Sequence, residues 1–162
     1  MMADGRPCIR VRTYRSEDAA ALARLFHETV HAIAARDYTA AELHAWAPVV
    51  PDGRAWDLRL RTGVTLVAEL DGAVSGFAAL DPPDHLDLLY VHKDHQGRGV
   101  ASALLAAIEA RARAHGATRL ATEASLTARP FFAARGFVVV EDQTIERGGV
   151  FLRRFAMVKD LG

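Results

Sequence analysis

At 162 residues, 51% apolar and 25% charged, the chain has the make-up of one globular domain spanning 1–162 rather than a disordered tail. Twenty basic side chains against twenty acidic ones exclude a general polyanion binder, so no nucleic-acid partner is expected. No apolar run nears the ~20 residues that cross a bilayer, residues 1–10 carry no apolar leader core, and Cys8 alone supports neither a disulfide framework nor a cysteine-rich zinc site, so a cytoplasmic protein without membrane partner or metal is expected.

Residues 9–13 alternate Ile-Arg-Val-Arg-Thr and predict a strand, on which Cys8 is read as buried core. Ser16, ahead of Glu17 and Asp18, reads as the cap of a helix running to about residue 35, with Leu22, Leu25, Phe26, Val30 and Ile33 on one face. Thr39 and Glu42 form a capping-box pattern leading to Trp46, and residues 53–61 predict another short helix. Two strands, 64–70 and 73–80, flank the Asp71-Gly72 hairpin turn, and an apolar strand follows at 86–91. The rest reads as a helix at 101–115, a strand at 119–123, a helix at 127–135 with Pro130 in its first turn, and a closing hairpin around Gly148-Gly149. The order is that of a mixed α/β sheet flanked by helices.

The stretch from Leu89 to Ser102 is the most informative. A buried strand ends at Val91, a polar loop follows, and Gln96-Gly97-Arg98-Gly99-Val100-Ala101 opens the long helix. Glycines there allow close approach, and the first turn of a helix leaves N–H groups that suit a phosphate or pyrophosphate. A glycine-bearing turn ahead of a helix is an equally available reading of Gly97 and Gly99 alone. A dinucleotide fold would need a third glycine where Ser102 stands, and a P-loop would need Gly-Lys-Ser/Thr, which is absent.

The 96–101 sequence is similar to the Gln/Arg-x-x-Gly-x-Gly/Ala signature of the GNAT N-acetyltransferases. Ala128-Arg129-Pro130-Phe131-Phe132 with Gly136-Phe137 resembles the second motif of that family, Phe132 standing where tyrosine is usual. The chain looks like a bacterial member. The resemblance implies a GNAT fold of class α/β (α+β), mostly antiparallel and twisted, with a splayed parallel pair at the fourth and fifth strands. It implies acetyl-CoA as co-substrate, no metal, and direct transfer of the acetyl group to a primary amine of a small molecule or peptide; homodimers are common in the family.

By the same resemblance, the pyrophosphate would rest on Gln96, Gly97, Arg98, Gly99, Val100, Ala101 and Ser102, and the pantetheine arm on the backbone of Leu89, Tyr90 and Val91, with Ser125 and Phe132 nearby. An N–H of Leu89 or Tyr90 would polarise the thioester carbonyl. His85 and Asp87, two apart on one strand side, are candidate bases, and a water chain is a third route; a surface histidine and a hydrogen-bonded strand aspartate are the plainer reading. Phe132 cannot donate a proton, so Tyr90, Tyr38 or Ser125 would serve as acid, or the thiolate leaves unaided. His31, Tyr38, Trp46 and Glu123 are the candidate acceptor-binding residues. His27 and His31, four apart on one helix face, read as solvated or capping rather than metal-binding. A cationic acceptor would need a carboxylate-rich cleft, for which Glu28, Asp37 and Glu42 are the early candidates. The alternative of a different class, motivated by Phe132, is a non-catalytic acyl-CoA-binding sensor or interaction module.

Overall fold

The computed structural model describes residues 7–162; the expectation drawn from residues 1–10 falls partly on 1–6, which lie outside the described residues. β1 (Ile9–Thr13) leads through a 3₁₀ turn into α1 (Ala19–Ile33), followed by α2 (Ala40–Trp46) and α3 (Gly53–Thr62). β2 (Val64–Leu70), β3 (Ala73–Asp81) and β4 (His85–Val91) form a meander, α4 (Val100–Ala114) crosses to β5 (Arg119–Ser125), and α5 (Arg129–Ala133) precedes the hairpin of β6 (Val138–Arg147) and β7 (Val150–Asp160). The seven strands make one sheet in the order β1-β2-β3-β4-β5-β7-β6, antiparallel except for β4 and β5. Among the described residues no helix is long and apolar enough to cross a membrane.

Each face of the sheet carries its own core, because a strand sends successive side chains to opposite sides. Val67, Phe77 and Leu88 pack under α1, α2 and α3, while Leu66, Ala68 and Leu80 pack under α4 with Leu104, Leu105 and Ile108. The predicted turns hold: Asp71 and Gly72 both sit at positive φ (51° and 86°), which the hairpin requires, and Thr39 and Glu42 close their capping box. Ser16 does not cap α1. Asp18 stands at the cap position without a side-chain bond to α1; it accepts the Arg15 N–H of the 3₁₀ turn at 2.9 Å while both of its oxygens are held by Arg12 at 2.9 Å. Those Arg12 bonds hold the Asp18 carboxyl below the usual carboxylate range. Cys8 is exposed, ahead of β1 rather than in the core. α5 is shorter than predicted because Ser125 Oγ accepts the Ala128 N–H and keeps the preceding residues in a turn.

Gly76 lets α4 lie directly on the sheet. A Cβ at that position would stand 2.9 Å from the Tyr90 carbonyl oxygen and 3.0 and 3.1 Å from methyls of Val100 and Leu104. Gly76→Ala is therefore expected to destabilise the fold by ~1–3 kcal/mol, the usual cost of overpacking, read as a lower denaturant midpoint at unchanged m-value.

Candidate active site

β4 and β5 pair only where the start of β4 meets the middle of β5, His85 with Ala121 and Leu86 with Thr122, and then diverge. The opening is a cavity of about 240 Å³ between the strands, closed at the sides by α1 and α5. The His92 N–H donates to the Ser75 carbonyl at 2.7 Å, so alternation along the antiparallel ladder turns the groups of Tyr90 toward β3 and those of Leu89 and Val91 into the opening. The Val91 carbonyl already accepts two bonds, from Thr29 Oγ1 at 2.9 Å and Gln96 Nε2 at 2.8 Å. Gln96 thus ties the glycine loop to the end of the strand.

That loop reaches α4 through two left-handed glycines, Gly97 (φ 74°) and Gly99 (φ 86°). The first bond inside α4 runs from the Ala103 N–H to the Gly99 carbonyl, which leaves the N–H groups of Val100, Ala101 and Ser102 without helical acceptors. Arg98 is exposed beside them. Ser102 Oγ accepts from the Arg135 guanidinium at 2.7 Å, and that guanidinium lies over the Phe131 ring at 3.9 Å. Arg135 is a cation at this corner that no local sequence signal points to. Phe132 is buried against Phe131 and Phe137 and lines the opening with its ring alone.

A second cavity, about 350 Å³, lies under the α1–α3 side and the β6–β7 hairpin. The two cavities share Trp46, Asp87, Leu88, Tyr90, Glu123 and Ser125. A bulge produces this junction: Ala79 pairs with Leu88 and Leu80 with Leu86, so Asp87 is an extra residue that swings toward the α1–α3 side. Asp87 binds Arg59 at 3.2 Å. Glu123 accepts from His85 Nε2 at 2.6 Å across the parallel pair, with His85 set behind it outside both cavities. Tyr90 packs between Phe26 and Phe77, and burial pushes its phenol up to about 12, against the opposing pull of the Trp46 indole N–H.

The remaining candidates separate. Tyr38 and Trp46 line the second cavity in edge-to-face contact, but the Tyr38 hydroxyl is committed, donating to the Arg153 carbonyl at 2.7 Å and accepting the Leu126 N–H at 2.9 Å. His31 lies outside both cavities, donating from Nε2 to the Ala47 carbonyl at 2.7 Å with the His27 ring tilted against it at 4.4 Å. Among the described residues no group of three or more His, Cys, Asp or Glu side chains is placed to hold a metal. None of Glu28, Asp37 and Glu42 lines either cavity; Asp37 accepts from Thr127 and Glu42 caps α2. The second cavity instead carries Arg59, Arg147, Arg153 and Arg154, residues brought together only by folding.

A mixed sheet with a splayed parallel pair, a glycine corner on the following helix and a second cavity opening at the splay defines an acyl-CoA-type transferase scaffold. Residues 34–161 match the acetyltransferase (GNAT) domain family, to which the chain belongs; it is an acetyltransferase. The uncharacterized N-acetyltransferase YafP of Escherichia coli (strain K12) is 31% identical over 149 residues, covering 92% of this chain and 94% of that protein. A crystal structure from Rhodopseudomonas palustris, described as a GCN5-related N-acetyltransferase and as a class-II aminotransferase, superposes with a TM-score of 0.90 at 39% identity over 99% of both chains. The acetyltransferase yncA of Salmonella typhimurium, solved with its cofactor acetyl-CoA, shares the fold at a TM-score of 0.72 and 22% identity, covering 95% of this chain and 94% of that one.

Proposed function

We propose that acetyl-CoA lies in the β4–β5 opening with its pyrophosphate on the N–H groups of Val100 to Ser102, and that a primary amine enters from the second cavity and attacks the thioester at the junction. The observation that carries this reading is the set of residues common to both cavities: donor and acceptor meet where Asp87, Tyr90 and Glu123 stand. The Leu89 N–H, turned into the opening, is the donor placed to polarise the thioester carbonyl. Glu123 faces the incoming amine, takes its proton and releases it to solvent; His85, donating to it from behind, holds the carboxylate in position. Asp87 is held by Arg59 and orients the acceptor.

The leaving thiolate departs without a side-chain acid. A phenol at about 12 is a weaker acid than an ordinary thiol at ~8.5, so Tyr90 can hydrogen-bond the sulfur but has no drive to protonate it. Phe132 has no proton to give, and the Ser125 hydroxyl, whose oxygen accepts the Ala128 N–H, is an aliphatic alcohol and a far weaker acid than a thiol. The carbonyl carbon thus gains the nitrogen and loses the sulfur in one ternary complex, with no acyl-enzyme. Pairing of two copies of the chain belongs to the same reading; it is supported by β6, a sheet edge with Val138, Val139 and Val140 exposed, and sedimentation at micromolar concentration checks the mass.

The test is calorimetric titration with acetyl-CoA alongside thiol release over an amine panel. Saturable binding with CoA release above the no-acceptor background for at least one amine is expected. Saturable binding with no release for any amine favours the acyl-CoA sensor.

A further inference from the structure

Resting on the transfer reading above, we propose that the acceptor is a small amine that also carries an anionic group, a carboxylate or a phosphate, and that Arg147 binds that group. The charges in the acceptor cavity are divided by position. Its carboxylates, Asp87 and Glu123, stand at the end shared with the β4–β5 opening, where the amine must arrive. Its arginines come from α3 and the β6–β7 hairpin.

Those arginines are not equally occupied. Arg153 is spent on Asp142, at 2.6 and 3.1 Å, and Arg59 contacts Asp87 at 3.2 Å. Arg154 bonds only the neutral side chain of Gln143, at 2.9 Å. Among the described residues Arg147 has no hydrogen-bond or ion-pair partner, although it stands at the hairpin tip close enough to Tyr90 for its charge to act on that hydroxyl. Uncompensated guanidinium groups on one concave wall repel a cation and favour a planar anion, which they can bind in a fork.

A polyamine meets these arginines with like charge. An acid-bearing amine satisfies both ends: its ammonium meets Glu123 and gives up a proton, and its anion meets Arg147.

Matched pairs test this. L-Phenylalanine is titrated against phenethylamine, and β-alanine and O-phosphoethanolamine against ethanolamine, into the full-length protein with and without CoA, and the same amines are assayed for acetylation. The acid-bearing member is expected to bind roughly tenfold more tightly in at least one pair, and Arg147→Gln to erase that preference while leaving the neutral partner and acetyl-CoA unchanged; tenfold corresponds to about 1.4 kcal/mol. β-Alanine against O-phosphoethanolamine separates carboxylate from phosphate. Equal binding within every pair, tighter binding of the neutral member, or an Arg147→Gln effect shared by both members overturns the proposal. Loss of acetyl-CoA binding would instead overturn the transfer reading, because the amine titrations without CoA stand apart from it.

Discussion

Glu123→Gln is expected to lower kcat by roughly 10²-fold or more near neutral pH, the range a positioned general base contributes. Glutamine keeps the length of the side chain and a carbonyl oxygen for His85 to donate to, but it cannot accept the proton of an attacking ammonium. Acetyl-CoA affinity should be little changed, because Glu123 lines the junction of the two cavities and is not part of the glycine corner. The deficit should also shrink as pH rises. An α-amine titrates near ~8, so above that range the acceptor arrives already neutral and needs no base. Thiol release followed from pH 6 to 10 reads both effects. An unaltered kcat at neutral pH would move the proton to Asp87 or to water.

Gly99→Val is expected to weaken acetyl-CoA binding more than tenfold while leaving the protein folded. Gly99 sits at φ 86°, a left-handed conformation costly for any residue with a Cβ and most so for a β-branched one. Crowding by the protein's own atoms is not the cause: the nearest atom to a Cβ there is a methyl of Ile9 at 3.6 Å, an ordinary contact. The cost is therefore backbone strain, relieved by rotating the peptide that sets the first-turn N–H groups of α4. Those groups are the proposed pyrophosphate donors, so the loss falls on ligand affinity. Calorimetry measures it, and a near-native thermal transition separates it from unfolding. Unchanged affinity would remove the corner from the binding site.

Which of these features can be read from the chain depends on how local their cause is. The turn at Asp71-Gly72, the capping box at Thr39 and the glycine corner at Gly97 and Gly99 follow from a few adjacent residues, and they stand where the pattern puts them. Two spaced motifs are enough to indicate the family and its parallel pair. The α1 cap departs from its local pattern because Asp18 is chosen over Ser16 by Arg12, a partner from the preceding strand. Cys8 departs from the core expected for it because an apolar side chain next to a strand says nothing of whether a second layer covers it. The acceptor wall is the least legible part. Arg59, Arg147 and Arg154 come from three separate elements, and only the tertiary fold brings them to one cavity. His85 and Glu123 are both candidates on sequence, but their bond is a property of the register between two strands.

The doubly occupied Val91 carbonyl has a consequence for what can enter the sheet. Along the splayed stretch β4 offers outward the N–H groups of Leu89 and Val91 but only one open carbonyl, that of Leu89. An ordinary polypeptide strand brings donors and acceptors in equal number, so one of its own donors would go unanswered at a cost of ~1–3 kcal/mol. A guest richer in oxygen acceptors than in donors escapes that penalty. The torn seam in the sheet is in this way guarded against being mended by another protein's edge, and kept for a different kind of molecule.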